Sequence, residues 1–347
     1  MSPHSIPTSQ SLHDALDNDG PWHRSYLLPL ALTALLGGAC QGPLPQEAAG
    51  CTEAQGACAT TAGLTATGSL RLVRERKIAD IIPLSGVNDY EASGVQLHGG
   101  QLYIVFDNMT KIGRVATDLG SGSYASGGSS SNKSQYEGIT FDDYSTAHFY
   151  VAEERTDARV VQYDDVASGS SASAQSTNVT FSDSNKGFEG LAWLRRYNND
   201  YLLGLCEGFD CTSSHGGTGG QGAIRVMAQS GSSWAADPTL LRLPSAVRFN
   251  DYSDLALLPN PDGTYQVAVT SQESKALWIG RLSATSWSFL DDGTVYPLPS
   301  SDYCYVEGVT FLSPTRVALV SDLYDPSSSD PSYCNNKDEM VHVFDLQ

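Results

Sequence analysis

Carboxylates recur in this chain at repeated positions, three of them directly before a glycine. Five segments share a beginning: EASGVQL from Glu91, YEGITF from Tyr136, FEGLAW from Phe188, YSDLAL from Tyr252 and VEGVTF from Val306. Glu137, Glu189 and Glu307 occupy the acidic position in three of them, with Ser93 and Ser253–Asp254 in the other two. A second apolar run follows each beginning and ends in acid: Asp107, Glu153–Glu154, Glu207, Glu273 and Asp322. Carboxylates gathered in one place repel one another unless protons, basic side chains or a cation offset their charge. Ca²⁺ suits such a set, because it takes about 6–8 oxygen ligands in irregular geometry. The pattern predicts a Ca²⁺ site built from Glu137, Glu153, Glu189, Glu207, Glu273, Glu307 and Asp322, with Arg155 and Lys275 neutralising part of the charge. The competing reading is structural: each glutamate caps backbone amides, each glycine permits a tight loop, and the strand-end acids are solvated.

The elements that must position these acids are short strands. Runs such as QLYIVFDN, HFYVAEER and YQVAVTSQES are rich in Val, Ile, Leu, Tyr and Phe and are bounded by Gly, Asn, Asp and Pro. A third run follows in every repeat: KIGRVA, RVVQYD, AIRVMA, ALWIGRL and MVHVFDL. Repeats of roughly 50 residues with four strands each are propeller blades. The last repeat ends after three strands, and LRLVRERKIADIIPL (Leu70–Leu84) precedes the first. That segment is expected to pair with Met340–Leu346 and close the ring, which removes an open edge. The prediction is an all-β, five-bladed β-propeller over residues 68–347, its N-terminal strand closing the last blade. In that fold the first strand of a blade runs along the channel and the second returns. The start of one and the end of the other therefore share a mouth, and the acids converge there.

The runs YEGITF…FYVAEERTDARVVQYD, GFEGLAW, DYSDLALLPN…VTSQESKALWIGRL and YVEGVTF resemble the SdiA-regulated family of bacterial β-propellers over roughly residues 75–347. The resemblance implies a propeller related to phytase-like and esterase-like ones. It also implies calcium binding, seen in some members, and it names no reaction.

Tyr26–Leu36 (YLLPLALTALL) is too short to span a bilayer, which needs about 20 residues. It has the length of a signal-peptide core. Gly37-Gly38-Ala39-Cys40 follows and resembles a bacterial lipoprotein cleavage site. Residues 1–39 are read as a signal peptide with a long n-region. Residues 40–67 are read as an Ala/Gly/Pro-rich spacer anchored through a lipid on Cys40. The chain is expected at the bacterial cell envelope. Seven cysteines less Cys40 leave an even number, suited to an oxidising compartment. The sequence-near pairing is Cys51–Cys58, Cys206–Cys211 and Cys304–Cys334, one of several connectivities open to six cysteines.

A net charge of −19, from 20 Lys+Arg against 39 Asp+Glu, argues against nucleic acid and anionic membrane surfaces as partners. The GxGxxG match at Gly217–Gly222 leads into the strand AIRVMA and lacks the helix N-terminus that a pyrophosphate needs. No GxSxG elbow or HExxH pair occurs. His148 and His342 are read as packing or surface residues, and Trp193, Trp278 and Trp287 as blade core rather than a sugar platform. The leading function is a calcium-binding, envelope-anchored, monomeric module that takes a small ligand or protein at the channel mouth. The alternatives are a calcium-dependent phosphoesterase and a purely structural protein–protein module.

Overall fold

The computed structural model describes residues 68–347 apart from 126–127, 131–133, 145–146, 166–169, 183–186, 210, 212–219 and 325–335. The export segment, Cys40, the spacer, Cys51, Cys58 and Cys334 lie outside the described residues.

The regular elements of the described chain are almost all strands, paired antiparallel with few exceptions. One meander runs through Ala92–His98, Gln101–Phe106, Met109–Ala116 and Gly122–Tyr124. Another runs through Tyr136–Phe141, Phe149–Glu153, Asp157–Asp165 and Ser170–Thr180. The next comprises Phe188–Arg196, Asn199–Cys206, Ala223–Ser230 and Ser233–Arg242. Then come Asp254–Pro259, Tyr265–Ser271, Ala276–Leu282 and Thr294–Pro297. The closing sheet orders Leu70–Lys77, Met340–Leu346, Arg316–Ser321 and Val306–Ser313. Second strands such as QLYIVF bury nearly every residue, because packed neighbours cover both faces. The turn between the first two strands, Gly99–Gly100, has both residues at positive φ, as a two-residue hairpin loop requires.

The N-terminal strand pairs antiparallel with the C-terminal one, from Leu70↔Leu346 to Lys77↔Met340. It is shorter than expected. At Ile78 the chain leaves the sheet for a helical turn, Ile78–Ile81. The spacing of Ile78, Ile81 and Ile82 puts three buried isoleucines on one face, against Val115 and Leu119 of the first meander. Burying such side chains stabilises by about 1.5–3 kcal/mol each, more than extra edge pairing would give. A second departure joins the second and third meanders into one eight-stranded sheet through a parallel bridge, Trp234↔Thr177. Trp234 is buried there and its indole N–H donates to Gln175 Oε1 at 2.6 Å.

The first strands of the meanders touch in a closed cycle: Ala92–His98, Tyr136–Phe141, Phe188–Arg196, Asp254–Pro259, Val306–Ser313 and back. The architecture is propeller-like. The repeated glycines make the cycle possible. A Cβ on Gly138 would stand 2.4 Å from Leu191 N, and one on Gly190 2.4 Å from Leu255 N. A Cβ on Gly94 would fall 2.1 Å from the Glu137 carbonyl oxygen, and one on Gly308 3.0 Å from Val95 N. These glycines serve the close approach of neighbouring backbones, not a tight loop. In the fourth meander Asp254 takes the equivalent place. Its buried carboxylate accepts the N–H groups of Val309 and Leu255, both at 2.7 Å, so a side chain bridges what backbone contact does elsewhere.

Trp278 is core, fully buried with its N–H donating to Asp292 O at 2.8 Å. Trp193 and Trp287 are partly buried and pack at the edges of the core clusters of their meanders.

Candidate functional site

The acids at the strand starts are aimed by β-bulges. Pairing skips Ser93 between Ala92 and Gly94, Glu137 and Gly138 between Tyr136 and Ile139, and Glu189 between Phe188 and Gly190. It skips Glu307 and Gly308 between Val306 and Val309. A bulged residue leaves the pleat alternation and its side chain is redirected. Here the effect repeats around the cycle and turns Glu137, Glu189 and Glu307 toward a common centre.

The acids at the ends of the second strands are brought up by a hydrogen bond repeated in three meanders. Asp107 N donates to Glu91 O, Glu154 N to Gln135 O, and Asp322 N to Tyr305 O, each at 2.8 Å. Gln135 and Tyr305 adopt positive φ to present those carbonyls. In the third meander a disulfide, Cys206–Cys211, with Cα atoms 5.1 Å apart, ties down the loop that carries Glu207.

The carboxylates that result sense one another. Burial, and then Asp107, Glu154 and Asp322, push the Glu137 carboxyl well above the usual carboxylate range. Burial also raises Glu307 well above that range, with Asp322, Glu137, Glu189 and Asp251 adding to it. Asp322 is raised by burial and by Glu91, Asp107 and Glu339, against a stabilising bond from Leu323 N. Asp251 is pushed up to about 6 by burial, with Glu273 and Glu207 contributing and Ser271 opposing. Within the group, Glu154, Glu189 and Glu207 each offer an oxygen within 4.8 Å of the other two. That all-oxygen donor set fits a hard cation.

Of the residues expected at this site, Glu137, Glu189, Glu207, Glu273, Glu307 and Asp322 come together. Glu153 does not: Arg159 and Arg155 engage its carboxylate, at 3.8 Å for Arg155. The strand-end hydrogen bond picks out Glu154 as the counterpart of Asp107 and Asp322, and pleat alternation sends its neighbour to the other face. Arg155 does not neutralise the group either, since it also binds Asp157 at 3.2 Å. Three members escape the sequence pattern. Asp251 precedes its strand and is fixed by Ser271 Oγ and, at 3.0 Å, by Glu273 N. Glu339 lies before the last strand and accepts Tyr90 N at 2.7 Å. Glu91 was legible only as the first residue of its repeat.

The two histidines read as packing or surface residues are both held by acids. His148 Nδ1 lies 2.7 Å from Asp142 Oδ2. His342 is fully buried, with Nε2 3.0 Å from Ser321 Oγ and Nδ1 3.1 Å from Glu75 Oε2.

No family model and no curated protein matches the chain. Among solved structures it is similar to the PQQ-bound aldose sugar dehydrogenase from Streptomyces coelicolor, with 15% identity and a TM-score of 0.46 over 82% of this chain and 100% of that one. It is also similar to the endo-arabinase from Bacteroides thetaiotaomicron, with 15% identity and a TM-score of 0.42 over 76% of this chain and 96% of that one. The Dos1 propeller is another, with 11% identity and a TM-score of 0.35 over 67% of this chain and 53% of that one. No activity carries across at such values.

Proposed function

We propose that this chain is a five-bladed β-propeller of the SdiA-regulated type, exported and lipid-anchored at Cys40, that binds Ca²⁺ at its acidic channel mouth. It acts as a ligand-binding or scaffold module of the cell envelope. The observation that carries the reading is the convergence of carboxylates from every repeat on one place, where the half-buried Glu154, Glu189 and Glu207 offer oxygens within 4.8 Å of one another. Burial and mutual repulsion raise the proton affinity of Glu137, Glu307 and Asp322 there. A divalent cation relieves the same repulsion at neutral pH, where protons are scarce. Ca²⁺ is favoured over Mg²⁺ because acids delivered by several strands form a wide oxygen cage rather than a compact octahedron. A phosphoesterase would need cations to receive phosphate, and Arg155 is already engaged by Asp157 and Glu153, which favours the binding role. Calorimetric titration of the chelator-treated protein with CaCl₂ and MgCl₂ is the test. Ca²⁺ should bind and raise the melting temperature, and Glu189→Gln with Glu207→Gln should weaken it. Absence of Ca²⁺ binding at millimolar concentration would leave the acids as capping groups. Mass spectrometry of the mature N-terminus tests the anchor, and an unmodified Cys40 would refute it.

A further inference from the structure

A cavity of about 540 Å³ lies at the opposite ends of the same inner strands. Its walls come from the last residues of Ala92–His98, Tyr136–Phe141 and Asp254–Pro259 and the later half of Phe188–Arg196. The close-packed glycines and Asp254 stand between it and the acidic mouth, so it is a separate site.

We propose that this cavity binds a neutral carbohydrate. The lining supplies aromatic rings: Trp193 is partly exposed, His98 stacks on Phe141 with centroids 4.3 Å apart and planes at 16°, and Tyr265 forms another wall. Pockets of this size, apolar with a few converging polar groups, are ordinary small-molecule sites. The polar groups decide the class of molecule. Arg195 is the cation of the lining, and it is held by Asp200 at 2.9 Å and Asp143 at 3.5 Å. An anionic ligand would find that guanidinium matched already, with Asp142 and Asp143 facing it. A cationic ligand would seek the ring faces, but there it would meet the like charge of Arg195, which stands 4.4 Å over Tyr144 and 5.4 Å from the Trp193 centroid. A purely apolar ligand would strip water from Asp143, Arg195 and Gln96 without replacing its hydrogen bonds. A neutral sugar ring meets every demand. Its C–H face lies against an aromatic ring, and each hydroxyl both donates and accepts. It can therefore bridge the acceptor Asp143, whose side chain is 62% exposed, and the donor Arg195.

The test is calorimetry and tryptophan fluorescence of the whole protein with neutral oligosaccharides of hexose and of pentose units, beside choline and galacturonic acid as charged probes. A neutral oligosaccharide should bind, and its affinity should fall about tenfold or more in Trp193→Ala and in Asp143→Asn, a factor worth about 1.4 kcal/mol. Glu189→Gln, at the other mouth, should leave it unchanged, so loss of the calcium reading would not touch this one. Asp143 is exposed, so Asp143→Asn decides the matter if Trp193→Ala fails to fold. No binding of any neutral probe at millimolar concentration overturns the proposal. So does binding that Asp143→Asn leaves intact, or a preference for choline or galacturonic acid.

Discussion

Replacing Gly138 with alanine should open the ring where two inner strands meet backbone to backbone. The new Cβ would stand 2.4 Å from Leu191 N, 2.7 Å from Gly190 C and 2.9 Å from Gly190 Cα. All three are backbone atoms of the neighbouring inner strand, so no side-chain rotation relieves the overlap. That strand cannot retreat, because Gly190 in turn lies against the backbone of Asp254 and Leu255. Overpacking in a well-filled core costs about 1–3 kcal/mol, and the rigid obstacle puts this case at the upper end. The lower entropy of an unfolded chain with alanine returns about 0.4–1 kcal/mol. A net loss of about 2 kcal/mol remains. For a domain of this size that lowers the melting temperature by roughly 3–4 °C. Gly99→Ala is the control: its Cβ meets nothing within 4 Å, and only the backbone strain at φ +55 opposes it, about 1 kcal/mol. Urea and thermal unfolding followed by circular dichroism measure both. If Gly138→Ala and Gly190→Ala each unfold like the parent protein, to within about 0.5 kcal/mol, the inner strands do not meet through these glycines.

Further outcomes follow from the buried charges and the disulfide. Glu137, Glu307, Asp322 and Asp251, the last near 6, bind protons more tightly folded than unfolded, so their contribution is complete below about pH 4 and is lost as pH rises through the folded values. His342 opposes them: burial and Lys337 hold it neutral with a pKa of about 3, and its contribution falls as pH drops from about 6.5. In EDTA the several acids should prevail, and the melting temperature should be higher at pH 5 than at pH 7.5. Saturating Ca²⁺ should flatten that difference, and melting curves that rise steadily toward pH 7.5 in EDTA would contradict the assignment. Glu75 joins the chain ends by accepting bonds from Lys337 and Tyr303 and meeting His342. Glu75→Gln should destabilise by about 1–3 kcal/mol, as loss of hydrogen bonds from a partly buried charged group does, and hydrogen exchange should rise first in Leu70–Lys77. Uniform exchange would argue against Glu75 as the tie. Cys206→Ser with Cys211→Ser should cost about 2 kcal/mol on the loop-entropy account and weaken Ca²⁺ binding through Glu207. An unchanged calcium isotherm would show that the disulfide does not position that acid.

Much of this protein is legible in the order of its residues. Apolar runs of strand length, punctuated by Gly, Asn and Pro, specify the meanders, because a strand's pattern is local. The pairing of the chain ends was readable from a final repeat one strand short. Glu137, Glu189 and Glu307 were readable because the bulge that redirects them repeats with its sequence. Packing alone decided the rest. Whether Glu153 or Glu154 enters the cluster depends on one residue of register, which inverts a side chain's face. Asp251 and Glu339 join because folding brings distant loops to the same mouth, and no local periodicity marks them. The role of the glycines, the bridge from Trp234 to Thr177 and the partial exposure of Trp193 are set by distances between strands far apart in the chain. Such distances come from twist and close packing between elements, which the spacing of residues within one element does not encode.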